Sequence, residues 1–167
     1  DQAVFFARYE QLVLHGAGIQ ADVDFAGRMW ERVQQIPYKL IPYDDAVPAL
    51  EAIRSRGLKT GAISNLDVDL EHLSQELGLA AYLDCKVSSR VAGAEKPDPR
   101  IFRFALDRLG IRPEEAIHVG DQYHGDVVGA RAAGMRAVLL DRDGLLAKYT
   151  DVDRIQGLQE ILEFVSQ

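Results

Sequence analysis

The stretch AIHVGDQYHGDVVGARAAG, residues 116–134, decides the fold of this chain. An apolar run at 117–119 ends at Gly120, and the loop that follows carries Asp121 and, five residues later, Asp126. A helix pattern of small residues comes next, so this order predicts a strand, a tight loop and a helix. Two carboxylates on a loop at the end of a strand suit a hard cation such as Mg²⁺, which prefers a few oxygen ligands.

Strands and helices of this kind alternate from residue 43 onward. The apolar runs that predict strands lie at 58–64, 84–88, 116–119 and 136–140. The helical patterns lie at 45–56, 67–77, 98–110, 126–133 and 157–166. Strands that alternate with helices of this length pair in parallel, so we predict an α/β fold. It is a three-layer, Rossmann-like parallel sheet with helices on both faces.

The first 36 residues follow a different, wholly helical pattern. Two apolar helical faces occur there, one formed by Val4, Phe5, Tyr9 and Leu12 and the other by Phe25, Ala26, Met29, Trp30 and Val33. We expect these faces to pack in a core or between domains, with lining of a substrate site as the alternative. Pro37 and Pro42 mark a linker, so we place the domains at 1–40 and 41–167.

Composition narrows the possible functions. The chain has 167 residues, a net charge of −7 and a single cysteine, Cys85. The negative charge argues against nucleic acid as a partner, and one cysteine excludes an internal disulfide, so a reducing, cytoplasmic location is expected. No apolar run reaches the ~20 residues that cross a membrane, so no membrane association is expected. Since the sequence starts with Asp1 rather than Met, we expect it to be processed, truncated or incompletely recorded.

Polar side chains from three different loops are predicted to meet at one edge of the sheet. Ser64 ends one predicted strand, Asp121 follows another, and Lys96 lies in the loop after a third. Ligands of parallel sheets bind beyond the carboxyl ends of the strands. Ser64 is either a phosphate-binding hydroxyl beside a helix that starts near Asp67 or the cap of that helix. Asn65 is either a ligand contact or a turn residue.

The charged residues of this edge also allow more than one interpretation. Lys96 is either a solvated loop lysine or the cation that offsets a phosphate. Two unit charges 4 Å apart interact by roughly 4 kcal/mol at an effective dielectric constant of 20. Asp126 is a metal ligand, a helix N-cap or both. His124 is expected at the surface or in an orienting role, and His118, inside a strand, is expected to be packed.

Three short motifs in this order resemble those of the haloacid dehalogenase-like hydrolase superfamily, in the group with a helical cap. They are ISN at 63–65, EKPDPRIF at 95–102 and GDQYHGD at 120–126. The resemblance implies that residues 1–40 are the carboxy-terminal part of a helical cap domain. It also implies that residues 41–167 are a Rossmann-like core domain that lacks its first strand.

The resemblance further implies a phosphatase that works through an aspartyl-phosphate intermediate. Ser64 and Lys96 would be catalytic, and both would bind the substrate together with Asn65. Asp121 would ligate Mg²⁺, and Asp126 would ligate it directly or through water. The expected substrate is a small phosphorylated metabolite. The acidic fourth motif favours a Mg²⁺-dependent phosphatase over a dehalogenase, because the dehalogenases of this family use no metal.

The family's first motif, a DxD nucleophile sequence at the end of an apolar strand, has no match before Ser64. The DVD sequence at 22–24 lies in a helical pattern, and DRDG at 141–144 follows the fourth motif, so its use would require a circular permutation. In this family the missing strand lies between the strands of the second and fourth motifs. We therefore expect it upstream of Asp1 or from another segment, and we expect those two strands not to pair directly.

Two other functions remain possible. A non-catalytic binding or regulatory relative would keep the phosphate-site loops without a nucleophile. A nucleotide-binding domain is less consistent with the sequence. The stretch GAGIQA at 16–21 fits the pattern GxGxxA, but it follows a helical segment rather than a strand.

Overall fold

The computed structural model describes residues 2–37 and 39–165 of the chain. Clustering of its contacts divides the chain into two compact units, Asp1–Leu40 and Ile41–Gln167. Within the described ranges, no helix is both long enough and apolar enough to cross a membrane.

The first unit contains a pair of helices, as its periodicity predicts: α1 (Gln2–Gly16) and α2 (Val23–Gln34). The rings of Phe6 and Trp30 stack between them with centroids 4.5 Å apart. Asp22 caps α2, and its carboxylate accepts a hydrogen bond of 2.7 Å from a backbone N–H three residues later. The DVD sequence that begins at Asp22 therefore starts a helix and does not end a strand.

One apolar face of this helical pair is exposed, although we expected it to pack. Phe5, Tyr9 and Leu12 are 64%, 52% and 71% exposed. A different side of α1 faces α2: Phe6 stacks on the ring of Trp30 in α2, and Ala7 is buried. This face therefore forms no core within the first unit, and its packing between domains or lining of a substrate site stays a prediction.

The strands described in the second unit form two parallel sheets. They are β1 (Gly61–Ser64) with β2 (Cys85–Ser88) in one sheet, and β3 (Ile117–Gly120), β4 (Arg136–Leu140) and β5 (Asp153–Ile155) in that order in the other. The α-helices are α3 (Ala46–Ser55), α4 (Leu70–Glu76), α5 (Ser89–Ala92), α6 (Pro99–Leu109) and α7 (Gly129–Ala132). Strands alternate with helices as predicted, and the fold is α/β and Rossmann-like.

Side chains from the two faces of β4 pack into separate cores. Val138 and Leu139 are consecutive, so they point to opposite faces, and neither has exposed surface. Leu139 belongs to a cluster with Phe102 of α6, whereas Val138 belongs to one with Ile161 and, at its margin, Ile53 of α3. Helical segments therefore cover both faces of this sheet, which gives the three predicted layers.

The main departure from a single predicted sheet lies between β1 and β3. Within the described residues β1 pairs only with β2 and β3 only with β4, so the two strands are not paired, as we expected. A cavity of about 1000 Å³ is lined by residues of both strands and of α3 and α6. We call it the intersheet cavity, and its apolar lining includes Ile53, Ile63, Phe102, Leu106, Ile117 and Val119.

Three smaller departures concern local geometry. The predicted helix at 126–133 is a π-helix, Tyr123–Val128, that continues into α7. The predicted last helix is a 3₁₀ helix, Leu158–Glu163. Strand β5 was not predicted, because it has three residues and two of them are charged.

Candidate active site

Hydrogen bonds join the three loops that carry the predicted site residues. Asn65, directly after β1, contacts Lys96 in the loop before α6, and Lys96 contacts Asp126 beyond β3. Lys96 and Asp126 also line the intersheet cavity, as does Asp121. The structure therefore brings residues of all three motifs to the carboxyl ends of β1 and β3.

A buried ion pair lies at the centre of this arrangement. The Nζ of Lys96 is 2.6 Å from Oδ1 of Asp126, and the two side chains are 14% and 2% exposed. The same Oδ1 is 3.0 Å from Nε2 of His118, and Oδ2 accepts a hydrogen bond of 2.9 Å from the backbone N–H of Gln122. Three donors thus converge on one carboxylate.

These donors determine the charge of Asp126. Burial raises its pKa, but hydrogen bonds from His118, Lys96 and the Gln122 N–H lower it more, so the pKa falls from 3.8 to about 2. The carboxylate is therefore ionised at neutral pH. An ionised, nearly inaccessible carboxylate needs such partners, because an unpaired buried charge is very costly.

The sequence of the loop explains how Asp126 reaches this position. A Cβ on Gly120 would lie 2.1 Å from Cγ of Asp126, so only glycine leaves room for the carboxylate. The backbone N–H of Asp126 donates to the carbonyl of Gln122 at 2.7 Å. The loop is thus folded back on the end of β3. The N-cap role considered for Asp126 is not observed, because its carboxylate bonds backward, to the loop.

Asn65 makes a two-point contact with the backbone of Lys96. Its Oδ1 accepts from the Lys96 N–H at 2.7 Å, and its Nδ2 donates to the Lys96 carbonyl at 3.0 Å. The hydroxyl of Ser89 in turn donates to the Asn65 carbonyl at 3.2 Å. The side chain of Asn65 therefore connects the β1 loop to the Lys96 loop.

Ser64 ends β1 and lies opposite Ser88 in the parallel register. Its Oγ accepts a hydrogen bond of 3.2 Å from the backbone N–H of Leu66, which closes a small turn. The expected helix near Asp67 begins instead at Leu70 and is capped by Asp69. The alternative that Ser64 caps this helix is therefore wrong.

Asp121 is exposed, and within the described residues its side chain makes no hydrogen bond or ion pair. No group of three or more His, Cys, Asp or Glu side chains in those residues is arranged to hold a metal ion by itself. Mg²⁺, however, commonly binds through one or two carboxylates with water and substrate phosphate. An Asp121 carboxylate with no partner among the described residues, lining the same cavity as Lys96 and Asp126, fits such a site.

The remaining sequence candidates lie elsewhere or have structural contacts. His124 is exposed, in agreement with a surface role. Asp141 of the DRDG sequence is buried, and its carboxylate accepts hydrogen bonds from the Leu146 N–H and from Arg154. The next residue, Arg142, forms an ion pair with Asp45 at the start of α3. These bonds stabilise the loop after β4, and they leave the DRDG sequence no role as a nucleophile motif.

Comparison with known proteins identifies the family. The sequence profile of the haloacid dehalogenase-like hydrolases matches residues 2–134. The chain belongs to this family. A haloacid dehalogenase-like hydrolase domain-containing protein 3 from Mus musculus is 38% identical over 138 residues, which are 79% of this chain and 55% of that protein.

A haloacid dehalogenase-like relative with a named activity is also similar. The glyceraldehyde 3-phosphate phosphatase of Methanopyrus kandleri is 41% identical over 115 residues, 68% of this chain and 48% of that enzyme. The crystal structure of a HAD phosphatase from Thermococcus onnurineus has a TM-score of 0.72 and 25% identity, covering 96% of this chain and 87% of that one. The chain spans about half the length of the two curated relatives.

Sequence reasoning missed two contacts of this haloacid dehalogenase-like site. His118 was expected to be merely packed, yet it bonds Asp126, eight residues later. Asn65 was expected to contact a ligand or form a turn, yet its side chain holds the Lys96 backbone. Strand alternation signals only that residues 118 and 120 share a face, and nothing in the sequence pairs residues 65 and 96.

Proposed function

We propose that the complete protein is a Mg²⁺-dependent phosphohydrolase that forms an aspartyl-phosphate intermediate. The nucleophilic aspartate belongs to a strand that fills the intersheet cavity, and we expect that strand upstream of residue 1. One observation carries the proposal. Within the described residues, β1 and β3 each have an unpaired edge, and these strands flank an apolar cavity whose lining includes Lys96 and Asp121.

The geometry of the cavity supports a parallel strand as its occupant. Exposed strand edges present unpaired N–H and C=O groups that accept another strand. A strand in parallel with β1 and β3 would end at the same edge as Ser64 and Gly120, which are the last residues of those strands. An aspartate just beyond its apolar residues would then lie among the loops that carry Lys96 and Asp121.

The residues of the site have distinct roles in this proposal. Lys96 offsets the negative charge of the phosphate and the nucleophile, while Asp126 holds its ammonium group. Ser64 donates its hydroxyl to the transferring phosphoryl group, and Asn65 fixes the loop of Lys96. Asp121 would ligate Mg²⁺, and Asp126, which lines the same cavity, would contribute directly or through water. The metal would supply charge neutralisation during the in-line displacement.

A small phosphorylated metabolite is the proposed substrate class. The named activity of the Methanopyrus relative, which acts on glyceraldehyde 3-phosphate, supports this class. The net charge of −7 does not oppose it, because a lysine and a metal ion can reverse the local sign of the potential. In the proposed enzyme the cap domain selects the leaving group, so the cap determines which metabolite is bound.

The proposal is tested with protein that includes the upstream segment. Its mass and sequence are checked first for a DxD strand, and hydrolysis of p-nitrophenyl phosphate is then measured with Mg²⁺ and with EDTA. Lys96→Ala should lower kcat at least about a hundredfold, since it removes the cation that binds phosphate. Lys148→Ala is the control, because Lys148 is exposed and, within the described residues, its ammonium group interacts only with the Tyr149 ring. Ordinary turnover in Lys96→Ala would refute the role of Lys96, and an upstream segment without aspartate would favour a non-catalytic relative.

A further inference from the structure

His118 is the side chain of β3 that reaches the Lys96–Asp126 pair. Its Nε2 lies 3.0 Å from Oδ1 of Asp126, and only 11% of the His118 side chain is exposed. The ring packs edge to face against Phe102 of α6, with centroids 5.0 Å apart and planes at 88°. It also lines the intersheet cavity. The ring is thus held on one side by an aromatic ring while its Nε2 is directed at the carboxylate.

We infer that His118 is a positioning residue for Lys96 and acts through Asp126. Lys96 and His118 share Oδ1, and the Gln122 N–H occupies Oδ2, so donors on both oxygens fix the plane of the carboxylate. Without His118, the carboxylate would be held by one backbone N–H and by an ammonium on a flexible stem. The carboxylate and the lysine would then move together.

The position of Oδ1 sets the direction in which Lys96 presents its charge, because a lysine ammonium has three N–H donors. One of them is directed at Oδ1, and within the described residues the structure shows no other bond of the Lys96 ammonium. Two N–H groups therefore remain for a ligand, and their direction is set by the position of Oδ1. His118 thus determines where Lys96 presents its charge. The catalytic part of this inference rests on the proposed phosphatase function.

Three variants separate the hydrogen bond from simple packing of the ring. The amide nitrogen of glutamine occupies about the place of Nε2, so His118→Gln keeps the donor to Asp126. The amide nitrogen of asparagine corresponds to the other ring nitrogen, so His118→Asn loses this bond. His118→Phe keeps an aromatic ring against Phe102 without any donor. A positioning role predicts that Gln replaces His118 and that Phe does not, whereas a packing role predicts the reverse.

The first measurement is steady-state hydrolysis of p-nitrophenyl phosphate by the complete protein at saturating Mg²⁺. Loss of a hydrogen bond to a charged group should lower kcat about tenfold or more in His118→Phe and His118→Asn. His118→Gln should stay within about threefold of the parent protein, because its donor is retained. Equal kcat values in the parent and His118→Phe would overturn the inference, and so would a folded His118→Gln as impaired as His118→Phe.

The second measurement does not depend on catalysis. The chain is treated with a limiting amount of acetic anhydride, and acylation of Lys96 is measured by mass spectrometry relative to acylation of Lys148. Looser pairing with Asp126 should increase the Lys96 rate several-fold in His118→Phe but not in His118→Gln. If this pattern appears while the parent protein hydrolyses no phosphate ester, the proposed function fails and the positioning role stands. Equal labelling in all variants would overturn the positioning role, whatever the activity.

Discussion

The side-chain amide of Asn65 binds both backbone polar groups of Lys96, accepting from its N–H at 2.7 Å and donating to its carbonyl at 3.0 Å. Asp126 holds the other end of the same lysine, 2.6 Å from its Nζ. Lys96 is therefore fixed both at its backbone and at its charge. The site is organised around the placement of one cation by two neighbouring loops.

The first prediction follows from the backbone contact. Asn65→Ala removes two hydrogen bonds at an exposed position, so the free energy of unfolding should fall by about 1 kcal/mol. The kcat of the complete enzyme should fall by more than this loss of stability explains, because the Lys96 loop loses its anchor. Urea unfolding and steady-state kinetics measure the two effects. Gln75→Ala is the control, since Gln75 is an exposed amide of α4 outside the site. An Asn65→Ala protein with unchanged kcat would show that the contact does not serve Lys96.

The second prediction concerns pH. The pKa of Asp126 in the folded protein is about 2, below its ordinary value of 3.8. A lowered folded pKa adds stability that is fully present above the unfolded pKa and is lost as the pH falls towards the folded pKa. The shift corresponds to about 2–3 kcal/mol, since each pKa unit is worth about 1.4 kcal/mol.

This contribution is measurable as a difference between two proteins. Asp126→Asn lacks the titrating group. The difference in free energy of unfolding between the parent protein and this variant should therefore shrink as the pH falls from 6 towards 2.5. Urea unfolding at several pH values gives the difference directly. At pH 6 the variant should be less stable by about 2 kcal/mol or more, because Lys96 also loses its partner. A stability difference that stays constant down to pH 2.5 would contradict the lowered pKa of Asp126.

The sequence predicts the local features of this site, but it does not predict contacts between residues that are far apart in the chain. The apolar run at 117–119 followed by Gly120 predicted β3 and its loop, because both signals are local. The convergence of the loops that carry Ser64, Lys96 and Asp121 was predicted from one parallel sheet, although β1 and β3 belong to two separate sheets within the described residues. The bond between Asn65 and Lys96 spans 31 residues, and such a contact depends on how the loops pack.

Two further features were not predictable for physical reasons. Strand β5 reads Asp-Arg-Ile and is too short and polar to show alternation, so only its pairing with β4 defines it. The π-helix at Tyr123–Val128 arises where the loop must turn the Asp126 carboxylate back towards Gly120. Over six residues, the periodicity of a sequence does not distinguish a π-helix from an α-helix.

The third prediction tests the packing that supports the loop. A Cβ on Gly129 would lie 2.6 Å from a ring carbon of Phe102 and 2.9 Å from the Pro97 backbone. Gly129→Ala should therefore destabilise the protein by about 1–3 kcal/mol, because backbone has to shift. At Gly125 the nearest atom is the flexible amide end of Gln122, at 3.0 Å. Gly125→Ala should be nearly neutral in the same urea or thermal unfolding experiment, and equal losses in both variants would show that the close approach to Pro97 is not limiting.

The fourth prediction concerns the metal. If Asp121 ligates Mg²⁺, Asp121→Asn should raise the Mg²⁺ concentration for half-maximal activity at least about tenfold, because a charged ligand is replaced by a neutral one. The measurement is a Mg²⁺ titration of p-nitrophenyl phosphate hydrolysis by the complete protein. Asp153→Asn is the matched control, since Asp153 lies on β5 and pairs with Arg136. An unchanged titration in Asp121→Asn would place the metal site on other residues.

The fifth prediction concerns the backbone of β1 and β3 and does not require activity. Each of these strands has one paired edge within the described residues, and the other edge faces the intersheet cavity. Amides without a strand partner exchange their hydrogen readily. In the 167-residue chain, the β1 and β3 amides that point into the cavity should therefore exchange fast, while those bonded to β2 and β4 exchange slowly.

Hydrogen exchange followed by NMR should show these cavity-facing amides becoming protected when the upstream segment is present, because the proposed strand would accept their hydrogen bonds. The outer edge of β5 serves as an internal control, since β5 pairs with β4 and lies at the end of its sheet. Its exchange should be the same in both proteins. Equal exchange of β1 and β3 with and without the upstream segment would mean that no strand enters the cavity, and the nucleophile would then have to reach Lys96 by another route.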